Sequence, residues 1–165
     1  MTEVPDRARR AFRDHDAFDP SAKPGAFAAV TTPFDAEVRA GEGTDGRIEF
    51  AVEVRVPRLS TVVEGEVADV VEEGWAETFE LRVTDPGGVT RGDRDLDPSV
   101  RAVDGALVVT VGFEDVDPRR GVADALALVN FVEGTYVQGV IPGYEYTEPV
   151  AGILAEARRA AGAED

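Results

Sequence analysis

The sequence predicts an α+β domain of two layers, an antiparallel sheet of about five to six strands with helices packed on one face. Three observations carry that expectation. From Arg47 to Val56, residues Ile48, Phe50, Val52, Val54 and Val56 alternate with Glu49, Ala51, Glu53 and Arg55, the period of a half-buried antiparallel strand. Leu107, Val109, Val111 and Phe113 repeat that period between Ala106 and Glu114. Beyond Pro118, Val122, Ala125, Leu126, Leu128, Val129 and Val132 recur at three- and four-residue steps, a wide apolar helical face.

Taken in order, residues 5–15 read as a short helix with Ala8, Ala11, Phe12 and His15 on one side and four arginines around the rest. Residues 1–24 form an N-terminal helix and loop, loosely attached to a single domain spanning 1–165. Ala26 to Thr32 and Phe34 to Ala40 follow as strands, and Gly41 to Gly46 is the flexible, glycine-rich tip of a hairpin into the strand at Arg47. Ser60 and Thr61 with Glu64 resemble a capping box, which starts a helix through Val63, Val67, Val70 and Val71 that ends at Gly74. Trp75 to Thr84 returns to alternation and is expected as a strand. Asp104-Gly105 joins Val100–Val103 to Ala106–Glu114 as a tight primed-type hairpin. Asp117-Pro118 then opens the long helix, since Asp accepts from free N–H groups and Pro fits the first helical position. Gly134 leaves two routes, one helix running on to Ile141-Pro142-Gly143 or a turn, and the continuous helix is favoured. Thr147-Glu148-Pro149 starts a last helix with Val150, Ile153, Leu154 and Ala157 inward, before an acidic end at Glu164 and Asp165.

Charge is the most informative global property. Thirty-three acidic residues face seventeen basic ones, net −16, and Lys23 is the only lysine. Such a field repels polyanions and argues against nucleic-acid binding. No run approaches the roughly 18 apolar residues of a membrane span, and no apolar signal core opens the chain, so a cytoplasmic protein without a membrane partner is expected. Cysteine is absent, which removes disulfides, thiolate metal sites and Cys nucleophiles. The one histidine, His15, has no second imidazole to share a metal, and no nucleophile-elbow pattern surrounds Ser21, Ser60 or Ser99.

Two places hold candidate site residues. Asp93, Asp95 and Asp97 alternate as in an EF-hand loop, with Asp104 in the twelfth position. However, Pro98 stands where the sharp turn needs Gly, and Asp104 is shorter than the usual Glu. Tyr136, Tyr144 and Tyr146 gather around Gly139 and Gly143, rings that suit a binding groove between the long helix and the last one.

In its acidic, Lys-poor, Arg- and Asp-rich composition the chain resembles small haloarchaeal protein families of unknown function. That resemblance implies a cytoplasm of molar salt, where self-repulsion is screened. The order of helix, strands, helix, strands and final helix is similar to that of the secretion-chaperone-like fold, from which the extra C-terminal helix departs. This implies a non-catalytic protein-binding or chaperone-like module without a cofactor, with a protein partner or as a homodimer. The alternative is a small-molecule-binding domain or hydrolase using acidic residues near Asp93, with a divalent cation.

Overall fold

A computed structural model of the chain describes residues 4–163; Glu164 and Asp165, the expected acidic end, lie outside them. The elements run α1 (Asp6–Arg13), β1 (Phe18–Pro20), β2 (Ala26–Ala29), β3 (Asp35–Glu42), β4 (Ile48–Pro57), α2 (Asp69–Val83), β5 (Ser99–Val103), β6 (Ala106–Asp115), α3 (Pro118–Gln138) and α4 (Val150–Ala163). All six strands form one antiparallel sheet in the order β1-β2-β3-β4-β6-β5, an α+β architecture as expected.

The alternation decides which face is covered. In β4 the side chains of Ile48, Phe50, Val52, Val54 and Val56 are buried while Glu49, Ala51 and Arg55 are exposed. The register carries this face across the sheet, pairing Val38 with Val52 and Val52 with Val111. Helix α3 packs on β4 and β6, α1 on α3 and β1, and α2 on α3. Among the described residues no helix lies over the centre of the opposite face, where Arg39, Ala51 and Gly112 are exposed.

Asp117 caps α3 by accepting from the N–H groups of Arg119 and Arg120, with Pro118 in the first turn. The helix runs through Gly134 to Gln138, the continuous alternative. Gly121 lets α3 lie close against the sheet, because a Cβ there would overlap the ring of Phe50. At the N-terminus, Phe12 is fully buried and stacks on Phe27 with centroids 4.1 Å apart, edge-on to Phe18 at 5.1 Å. His15 Nδ1 accepts from the Ala17 N–H, a local turn contact.

The structure corrects the sequence expectations in five places. Trp75 to Val83 is helical, not a strand: Glu72, Trp75, Phe79 and Val83 face inward at helical steps, whereas Leu81, which completes the apparent alternation, is 76% exposed. The capping box at Ser60 does not form. Leu59–Thr61 is a single 3-10 turn, and Ser60 donates through N–H and Oγ–H to Glu72, pinning that turn to α2. The tip at Gly41 to Gly46 is tied down, since Glu114 accepts from the Thr44 N–H at 2.7 Å and from its hydroxyl. The Asp104-Gly105 turn is tight, but only Gly105 has a positive φ, +70°, so it is not the primed form with two such residues. Finally, among its described side chains α4 meets the body only near its start, with Val150 and Ile153 buried and Leu154 half-buried against the core, whereas Ala157, expected inward, is exposed.

Candidate functional site

The three tyrosines have different surroundings. Tyr136 is a core residue, 1% exposed, packed edge-on to Phe34, Trp75 and Phe79, with its hydroxyl donating to the Pro57 carbonyl at 2.9 Å. Burial pushes its ionisation above the ordinary tyrosine value. Tyr146 is half-buried and folds back on its own loop, its hydroxyl accepting from the Ile141 N–H and donating to the Ile141 carbonyl. Its backbone bridges Val63, which joins the segment before α4 to the segment before α2. Tyr144 is half-buried beside the core. None of the observed ring contacts joins the three into one groove; two of the hydroxyls are satisfied within the chain.

Asp93, Asp95 and Asp97 are all exposed, and among the described residues no group of three or more His, Cys, Asp or Glu is arranged to hold a metal ion. The organising residue of that loop is the arginine between them. Arg94 is inserted beneath the loop and donates through Nε and Nη2 to Asp124 at 3.1 and 2.9 Å, through Nη1 to the Glu114 carbonyl at 2.7 Å, and through Nη2 to Asp115. Its guanidinium also lies 4.3 Å over the Phe113 ring. Asp124 accepts in addition from the Arg91 and Gly92 N–H groups, and Asp115 from Arg120 and the Asp117 N–H. Burial by itself raises both carboxyls. For Asp115 the hydrogen bonds from Arg120, Asp117 and Arg94, and for Asp124 those from Arg91, Arg94 and Gly92, outweigh it and hold each below the usual carboxylate range. All three guanidinium nitrogens of Arg94 meet an internal acceptor. The cluster staples the Thr90–Asp97 loop and the start of α3 to the end of β6.

Sequence reasoning missed this staple and the Glu72 pin, although a shared signal was present. Asp115 continues the buried period of β6, Asp124 sits on the apolar stripe of α3, and Glu72 begins the Trp75, Phe79, Val83 stripe. A charge at an apolar-period position implies a buried partner.

The open face of the sheet offers a different surface. A shallow depression of about 480 Å³ crosses β3, β4 and β6, floored by Ala51 and Gly112 and rimmed by Glu37, Arg39, Glu53 and Asp97. Glu37 and Glu53 are direct cross-strand neighbours. Arg101 donates to Glu53 at 3.1 Å, and Lys23 stands 3.8 Å from one oxygen of Glu37, whose other oxygen is buried without a hydrogen bond among the described residues. A second depression of about 410 Å³ lies along Thr84 to Leu96 and includes Asp93 and Asp95.

A family of unknown function, DUF5813, matches residues 13–156, the whole sheet together with α2, α3 and the first half of α4. The chain belongs to that family. Both the Arg94 staple and the open-face depression fall inside the part shared with DUF5813, whereas most of α1 precedes it. No curated protein and no solved structure matches the chain. No helix among the described residues is long and apolar enough to cross a membrane.

Proposed function

We propose that the chain is a non-catalytic protein-binding or chaperone-like module of a salt-rich cytoplasm, working through the outer face of its sheet. The uncovered depression over Ala51 and Gly112 carries this reading: small floor residues let another backbone approach, and the charged rim supplies orientation. The internal use of Arg94, Asp115, Asp124 and Glu72 supports it, because those buried charges are already consumed by structure. The net charge of −16 fits a medium in which repulsion is screened. The depression holding Asp93 and Asp95 favours a second reading, a small-molecule or cation site.

Co-purification in molar KCl separates the two. A stoichiometric partner protein that is lost on Ala51→Glu, a change at an exposed position that sets a carboxylate opposite Arg39 across the ladder, is the expected result. A monomer without partner, whose melting temperature rises with Mg²⁺, Ca²⁺ or a metabolite, overturns the first reading in favour of the second.

A further inference from the structure

The two edges of the sheet are guarded unequally. The edge at β1 is three residues long and ends in Pro20, a short, proline-blunted edge of the kind that resists pairing. The edge at β5, Ser99–Val103, contains neither proline nor glycine. Its pairing with β6 runs Val103 to Ala106 across the two-residue turn, Arg101 to Val108 and Ser99 to Thr110. In such a hairpin the residues flanking the turn exchange hydrogen bonds, so every second residue does, and the N–H and C=O groups of Val100 and Ala102 point away from β6. Among the described residues no hydrogen bond from outside the sheet reaches either of them. Ala102 is exposed.

We propose that β5 is a docking edge to which an extended segment of a partner protein adds as a seventh strand, with a carboxylate opposite Arg101. The proposal rests on the protein-binding reading above and names the kind of segment bound. Arg101 is 62% exposed and spends one donor on Glu53, leaving most of its fork free for a second carboxylate. A second copy of the chain is the poorer occupant. Pro98 has no N–H and the Asp104-Gly105 turn closes the other end, so the only two-fold pairing that uses both outward residues sets Arg101 against Arg101. Like charges directly opposite destabilise a strand pair, and each copy carries −16.

The probe is an acetylated, amidated heptapeptide, Val-Thr-Val-Glu-Val-Thr-Val, beside its central-arginine counterpart. Both are titrated in about 1 M KCl, where the Debye length is roughly 3 Å and long-range attraction to the acidic chain is screened. The glutamate peptide is expected to slow amide exchange at Val100 and Ala102 by about tenfold or more and to bind about tenfold tighter than the arginine peptide. Ala102→Pro removes an outward donor without touching the β6 ladder and should abolish both effects. Arg101→Glu should reverse the preference between the peptides, which tests the idea even if the proline variant folds poorly. Absence of protection at β5 with millimolar peptide, equal or better binding of the arginine peptide, or self-association of the wild type that Ala102→Pro abolishes would each overturn it. A partner protein still retained by a folded Ala102→Pro chain keeps the protein-binding reading and removes the edge.

Discussion

Arg94→Met is expected to lower the unfolding free energy by roughly 3–5 kcal/mol, because it leaves Asp115 and Asp124 as buried carboxylates without their shared cation. The side chains of those acids are 2% and 1% exposed, so water cannot take over from the guanidinium. Denaturant titration in molar KCl measures the effect, and a loss below about 1 kcal/mol, the level of a surface pair, would refute a buried staple. The loss should persist as salt is raised, since a buried pair is poorly screened, unlike the repulsion among exposed acids. The same geometry fixes the acid limb. Both carboxyls have folded values below their unfolded ones, so their contribution is complete above the unfolded carboxylate value of about 3.9 and is lost as pH falls from there toward the folded values. The Arg94→Met chain should show a shallower decline below about pH 4 than the wild type.

Phe12→Ala should cost about 3–5 kcal/mol of global stability, the range for emptying a fully buried aromatic site. Phe12 reaches past α1 to Phe27 in β2 and Phe50 in β4, so its removal opens a void against the centre of the sheet. Denaturant unfolding followed at Trp75, far from the substitution in sequence, reads the outcome. A loosely attached N-terminal segment would instead melt alone, leaving the Trp75 transition unmoved, and that result would count against the contacts described here.

Much of the architecture was legible because it rests on local periods. The ladder of β3 and β4, strand β6, the Asp117 cap and the length of α3 all follow from alternation, spacing and capping chemistry within ten or twenty residues. Trp75 to Val83 was misread because exposed Leu81 fills the gap between buried Phe79 and Val83 and turns a helical stripe into apparent alternation. The site was less legible. Tyr136 carried the residue type of a binding surface but sits where its hydroxyl meets Pro57 inside the core. Arg94 finds its partners twenty to thirty residues away, a relation that no local period encodes. The open face was visible only as the polar half of an alternation, without the shape that the neighbouring strands give it.

The strand order β4-β6-β5 also dictates when the fold can close. The hairpins β3–β4 and β5–β6 join neighbours in sequence, but the longest ladder, Ile48–Pro57 against Asp115–Ala106, pairs strands separated by the whole of α2 and the charged loop. Forming it requires closing that long segment before any of its contacts are gained, which makes this ladder the slow, non-local step of assembly. Truncating Val54 within it should therefore slow refolding, whereas truncating Ile153 in the late-docking α4 should mainly speed unfolding; equal refolding rates in the two variants would refute that order.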